Sequence, residues 1–214
     1  MINIVCVLQS INSKLYTAEW VYKLERAIAR NLSLPYKFCC YSDIPLLCNY
    51  VLINSANTGW WSKMELFNAS ISQNSVLYFD LDVIITKPLD ELVLNLQKSS
   101  DNFFMCHEPE GYANSSIMYW KDCPTHLYNT YSLNSNKYHE QYKKLPLLGD
   151  QGFISEHVKY NFVEQLINPD FIAWTSNTEL NNNQNTGLIV FTSKKSKPSK
   201  PIFKDNEIIK ANWY

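Results

Sequence analysis

The first hundred residues switch between short apolar runs and longer stretches whose apolar side chains recur every three or four positions. Ile2 to Leu8 is a short run rich in β-branched residues and predicts a first strand. Trp20, Leu24, Ala27, Ile28 and Leu32 share one face of a helix predicted from Tyr16 to Leu32, which Pro35 stops. Tyr36 to Tyr41 and Tyr50 to Ile53 predict two more strands. Trp61 to Ile71, with Met64, Leu66, Phe67 and Ile71 apolar, reads as a helix. Val76 to Phe79 is the fourth strand, and Pro88 starts a helix carrying Leu89, Leu92, Val93 and Leu96. Strand and helix in alternation argue for an α/β class with a mainly parallel central sheet flanked by helices.

The second half is less regular. Phe103 to Cys106, Ile117 to Trp120, Phe171 to Trp174 and Leu188 to Phe191 predict strands, and Pro124 to Tyr131 and Asp150 to His157 predict helices. Asn181 to Asn185 reads as a loop tip. No linker or repeat interrupts the chain, so residues 1–214 are expected to form a single domain. The last 20 residues, from Lys194, are rich in Lys and Pro and are expected to wrap the surface without adding to the core.

Composition narrows the picture in three ways. At 214 residues and 46% hydrophobic side chains, the chain can bury one sizeable core but not two. Nineteen basic against twenty acidic residues leave a net charge of −1, so no global field draws it to nucleic acid or an anionic membrane. The start, MINIVCVLQS, has no basic leader, and no run approaches the roughly 18 apolar residues of a membrane span. Six cysteines without a C-x-x-C pair read as small buried thiols in a reducing compartment. A soluble, cytoplasmic protein is therefore expected.

The chemistry is concentrated in SVLYFDLDVIIT, Ser75 to Thr86. A strand apolar enough to be buried ends in two acids, Asp80 and Asp82, with no base beside them. Ligands of open α/β sheets sit beyond the carboxyl ends of the strands. Residues i and i+2 of an extended segment point the same way, so both carboxylates are expected to reach one spot, with Leu81 facing away. Two such charges repel unless a cation or proton lies between them. Oxygen-only ligands suit Mg²⁺ or Mn²⁺, which complete their shells with water and substrate phosphates. The bland alternative is a solvated acidic loop.

Two families end a strand this way. In haloacid-dehalogenase-type phosphatases the strand resembles LYFDLD, but Gly-Thr follows the second acid and the motif lies near the N-terminus. Here Val83-Ile84 follows and three strands come first. The fuller resemblance is to GT-A glycosyltransferases of the glycogenin-like and lipooligosaccharide galactosyltransferase-like group. YTAEWVYKLERAIARNLSLPYKFCCYSD resembles their opening helix and second strand, and GWWSKMELFN their segment before the metal strand. VLYFDLDVIITKPLDEL resembles their D-x-D block, YANSSIMYW their Asn-Ser-Gly strand and GDQGFI their Asp-Gln helix start, all in the same order.

That resemblance implies a GT-A, Rossmann-like fold with a nucleotide-binding half over 1–100, a donor-sugar and acceptor half over 101–193, and a basic tail over 194–214. It implies an enzyme that moves a sugar from a nucleotide-diphosphate donor, a UDP-sugar by expectation, to a glycan or other hydroxyl acceptor. Asp80 and Asp82 would hold Mn²⁺ or Mg²⁺ on the diphosphate, and Asp80 would also touch the ribose or donor sugar. Lys63, Asn114 and Ser115 match donor contacts, although a solvated helical lysine and plain turn residues fit them too. Asp150 and Gln151 match the catalytic pair, Asp150 gripping a donor hydroxyl and Gln151 lying near the anomeric carbon. An N-terminal cap is the bland reading of Asp150. Tyr16 matches an aromatic near the uracil, and Asp43 is a candidate acceptor for a base N–H. The C-terminal NWY resembles aromatic endings that pack near the site.

One departure from the family pattern stands out. Relatives carry a His-Gly-x-x-Lys-Pro stretch whose His is the third metal ligand and whose Lys binds phosphate. Here Thr192 stands at the His position, and Lys197-Pro198 is spaced one residue further on. Lys194, Lys195, Lys197 and Lys200 can still compensate the charge of a departing diphosphate. The rival readings are a metal-dependent phosphatase and a nucleotide-sugar-binding module without turnover.

Overall fold

Strands apolar on both faces build the centre of the molecule. In the computed structural model these are β1 (Ile2–Leu8), β2 (Tyr36–Ser42), β3 (Tyr50–Leu52), β4 (Val76–Phe79), β6 (Phe103–His107), β7 (Ala113–Trp120) and β10 (Asn161–Phe162). They form one seven-stranded sheet in the order β10-β6-β7-β4-β1-β2-β3. β4, β1, β2 and β3 run parallel, while β7 is antiparallel to both β4 and β6. The structure describes all residues except 12, 14, 54–56, 176–183, 193–196, 201, 202, 204 and 214. Part of the Asn181–Asn185 stretch, Lys194, Lys195 and the final Tyr therefore lie outside the described residues.

The period-2 pattern decides which core each side chain joins. From β1, Ile4, Cys6 and Leu8 enter one apolar layer, and Val5 and Val7 enter the other. From β4, Leu77 and Phe79 join the first layer, and Tyr78 joins the second. Such two-faced strands are expected of a mainly parallel sheet covered on both sides. The first layer is closed by α1 (Ala18–Asn31), with Trp20, Val21, Leu24, Ala27 and Ile28 buried, and by α2 (Asp90–Lys98), with Leu92, Val93 and Leu96 buried. The second is closed by a 3₁₀ helix over Gly59–Phe67, by α3 (His126–Leu133) and by α5 (Gly149–His157). A small sheet, β11 (Ile172–Thr175), β12 (Leu188–Phe191) and β5 (Ile84–Ile85), packs beside the D-x-D turn. A hairpin of β8 (Lys143–Lys144) and β9 (Leu147–Leu148) leads into α5.

Four expectations need correction. Trp61 to Ile71 is not an α-helix: Gly59–Phe67 is 3₁₀, and Asn68 to Ile71 form a turn. Trp61, Met64 and Phe67 recur every third residue, which is the 3₁₀ period and buries all three. The tail does contribute to the core, because Phe203 is buried and α6 (Glu207–Trp213) buries Ile209 and Trp213 against the first layer. Trp213 packs edge-on to Trp20 with ring centroids 5.0 Å apart. A short α4 (Ser135–Gln141), with no buried residue, was not anticipated. Of the cysteines in apolar runs, Cys6, Cys40 and Cys106 are buried but Cys39 is only half-buried. No helix among the described residues is long and apolar enough to cross a membrane.

The hairpin and α5 meet at Gly152, where a Cβ would lie 2.4 Å from the Leu147 carbonyl carbon and 2.7 Å from its Cα. These are backbone atoms and cannot swing away. Gly152→Ala is expected to cost about 1–3 kcal/mol of stability through overpacking, read as a lower denaturant midpoint at unchanged m-value.

Candidate functional site

Asp80 follows the last residue of β4, at the carboxyl end of the central strand. β7 runs antiparallel to β4 with Phe79 opposite Ile117, so the start of β7 lies at that same end. The Asp80 backbone N–H donates to the Ser116 carbonyl at 2.8 Å. This register brings Ser115 to the acids, although 35 residues separate the two in sequence. The chain does not stay extended through the motif. The Val83 N–H donates back to the Asp80 carbonyl at 3.2 Å, closing a turn. The expected i, i+2 alignment of Asp80 and Asp82 is thereby replaced by turn geometry, while Leu81 does enter the core.

Lys63, on the 3₁₀ helix, is the hub of the first cluster. Its buried ammonium lies 2.9 Å from Oδ1 of Asp80 and 3.3 Å from Oδ2 of Asp150, and donates to Oγ of Ser115 at 2.9 Å. Ser115 donates to Oδ2 of Asp150 at 2.6 Å, and the Tyr78 hydroxyl donates to Oδ1 of Asp80 at 2.5 Å. Burial pulls the lysine pKa down, but Asp150 and Asp80 outweigh it and hold the ammonium well above the ordinary lysine value. Burial pushes the Asp80 carboxyl up, yet Lys63 and the Tyr78 hydroxyl bring it below the usual carboxylate value. For Asp150 burial wins, and its pKa is raised despite Lys63. Lys63 is thus not a solvated lysine. Asp150 is not a helix cap either: Leu148 holds the N-cap position, and the Asp150 side chain points into the ion cluster.

Asp82 anchors a second cluster. Its Oδ2 pairs with the buried ammonium of Lys197 and accepts from the Tyr16 hydroxyl at 3.1 Å. Burial raises the Tyr16 phenol, and the charges of Asp82 and then Asp80 raise it further, so one phenol feels both acids. Tyr16 stacks edge-on with Trp20, which leans on Trp213; the aromatic ending therefore supports the site through two rings.

The remaining expected residues sit apart from these clusters. Asn114 donates to Glu108 and accepts from the Ser116 N–H at 2.8 Å. Asp43 accepts from the N–H groups of Ser10 and Ile11 at 2.7 and 2.9 Å, tying the end of β2 to the loop after β1. Gln151 is half-buried on the first turn of α5. Tyr78 was missed as a site residue; it lies two positions before Asp80 on one strand, a spacing that puts both on one face. Thr192 spends its hydroxyl on the Thr175 carbonyl at 2.8 Å.

No group of three or more His, Cys, Asp or Glu arranged to hold a metal occurs among the described residues. Asp80 and Asp82 offer the oxygen donors that a hard cation takes, although each is paired with an ammonium, Asp80 with Lys63 and Asp82 with Lys197. Across the two clusters, three carboxylates, Asp80, Asp82 and Asp150, lie beside two ammoniums, Lys63 and Lys197.

No family model matches this chain, and no curated protein matches it by sequence. Solved structures do match by shape. An active-site mutant of LgtC aligns over 100% of this chain and 97% of its own, with a TM-score of 0.59 at 12% identity. Galactosyltransferase LgtC in complex with donor and acceptor sugar analogs gives a TM-score of 0.57 over the same shares, again at 12% identity. The glycosyltransferase GlyE of Streptococcus pneumoniae TIGR4 aligns with 80% of this chain at a TM-score of 0.58 and 12% identity, and the match spans 47% of GlyE. With a mixed, mainly parallel sheet and such neighbours, the chain has the GT-A glycosyltransferase fold.

Proposed function

We propose that this protein is a glycosyltransferase that moves a sugar from a nucleotide-diphosphate donor, with UDP-sugars as the donor class, to a glycan or other hydroxyl acceptor. The observation that carries the reading is the buried Lys63, joined to Asp80, Asp150 and Ser115 beyond the carboxyl end of β4. Ligands of open α/β sheets bind at such strand ends, and the GT-A likeness extends over the whole chain.

In the reaction the bond between the anomeric carbon and the diphosphate oxygen breaks, and the electron pair leaves with the diphosphate. The acceptor oxygen forms the new bond, and its proton passes to a phosphate oxygen. Asp80 and Asp82 are the residues to hold Mn²⁺ or Mg²⁺, whose contribution is Lewis-acid stabilisation of the leaving diphosphate. Lys197 is the protein cation best positioned to follow the phosphate charge, because it already lies among the acids. Asp150, held through Oδ2 by Lys63 and Ser115, is oriented to bind the donor sugar and to balance positive charge on its ring. Gln151, next on the same helical turn, is proposed to face the anomeric carbon.

The phosphatase alternative finds less support, since its acid pair belongs on the first strand and here follows the fourth. A melting experiment tests the proposal. UDP with Mn²⁺ at about 100 times its Kd should stabilise the fold by about 2.7 kcal/mol, raising Tm by roughly 5–10 °C. Chelation of the metal should remove much of that shift. No shift with any sugar nucleotide overturns the reading, and UDP binding without hydrolysis or transfer of UDP-sugars replaces it with a binding module.

A further inference from the structure

The two segments that supply Lys63 and Asp150 also wall a cavity of about 250 Å³, lined by Trp60, Trp61, His139, Tyr142, Lys143 and Gly149 among others. Its inner wall is rigid: Trp61 is buried and stacks on His139, with centroids 4.7 Å apart, and on Tyr131 at 5.2 Å. Trp60 differs, because 43% of it is exposed. The indole is nonetheless held in place. Gly149 has φ +64°, and a Cβ there would lie 2.7 Å from Cε3 of Trp60, so the ring rests directly on the glycine backbone. At the rim, the Lys143 ammonium pairs with Glu140, and both side chains are largely exposed. Surface pairs of that kind are readily exchanged for a ligand.

We propose that this cavity is a saccharide subsite that takes one pyranose ring of the acceptor, stacked on Trp60. The assignment of the ring to an acceptor rests on the glycosyl-transfer reading above. A pyranose has an apolar C–H face and a rim of hydroxyls. An immobilised aromatic face beside a few polar groups is the matching surface. The cavity suits a single ring and is small for a nucleotide. Its position also suits an acceptor. Trp60 lies three residues before Lys63 on a 3₁₀ helix, where i and i+3 side chains eclipse, and Gly149 immediately precedes Asp150. A ring on Trp60 is therefore held beside the cluster proposed to bind the donor sugar.

Saturation-transfer NMR on the whole protein, with methyl β-D-galactopyranoside, methyl β-D-glucopyranoside and methyl α-D-mannopyranoside as probes, tests this directly. Transfer to ring C–H protons of at least one probe is expected, with Kd rising about tenfold in Trp60→Ala. Trp60→Phe keeps an aromatic face and should retain most of the binding, which guards against a folding defect in the alanine variant. No transfer from any of the three probes, or transfer indifferent to Trp60→Ala, overturns the subsite. The UDP melting shift is read in parallel on each variant. Glycoside binding without a shift from UDP or any other sugar nucleotide sinks the glycosyl-transfer reading and leaves the subsite standing, and a nucleotide shift without glycoside binding sinks the subsite alone.

Discussion

Lys63→Met is expected to destabilise the protein by about 3–5 kcal/mol and to abolish turnover. The ammonium is buried with two carboxylates, and the methionine leaves both without a cation. Asp150, whose pKa is raised by burial, and Asp80, whose pKa Lys63 helps to lower, both lose their cation in the variant. The cost comes from stranded charge more than from a lost contact, which gives the prediction a second arm. Lys63→Met combined with Asp150→Asn removes one of the stranded charges and should recover part of the stability without restoring activity. Chemical denaturation of the three proteins measures it. A loss under about 1 kcal/mol in the single variant would mean that Lys63 is solvated and the cluster is not assembled.

How much of this site could be read beforehand follows from what local patterns encode. Val76 to Phe79 followed by Asp80 and Asp82 is legible, because an apolar strand ending in acids is unusual over any short window. The partners of those acids are not local. Ser115 reaches Asp80 through the antiparallel pairing of β4 with β7, and Lys197 reaches Asp82 across 115 residues. The fold shows the same division. The apolar run of β1 and the amphipathic face of α1 announced themselves, because burial leaves a readable apolar pattern in each. α4 buries nothing and so carries no apolar stripe to detect. In the tail, Phe203, Ile209 and Trp213 are spaced among lysines and prolines, and composition averaged over the stretch hides three core residues. Tyr16 was expected beside the nucleotide base for its ring; the bond from its hydroxyl to Asp82 was not legible in the sequence.

Asp82→Asn separates the two roles that the acid can have. It is the counter-ion of a buried lysine, and in the proposed reaction it holds the divalent ion. The substitution preserves shape and removes charge, so the Lys197 ammonium is left facing an amide. As a counter-ion alone, Asp82 would be dispensable once the lysine is neutralised, and Lys197→Met in the Asp82→Asn background would restore stability and bring turnover to the level of Lys197→Met alone. As a metal-holding acid it cannot be replaced in that way. The expected result is the second: stability recovers in the double variant, while turnover with a UDP-sugar stays about a thousandfold below that of Lys197→Met alone, equivalent to ~4 kcal/mol of lost transition-state stabilisation. Mn²⁺ binding in the presence of UDP, followed by electron paramagnetic resonance, supplies a readout independent of turnover and should weaken in both Asp82→Asn proteins. Turnover in the double variant equal to that of Lys197→Met alone, with Mn²⁺ binding unchanged throughout, would leave Asp82 as a structural partner of Lys197 and not a metal-holding acid.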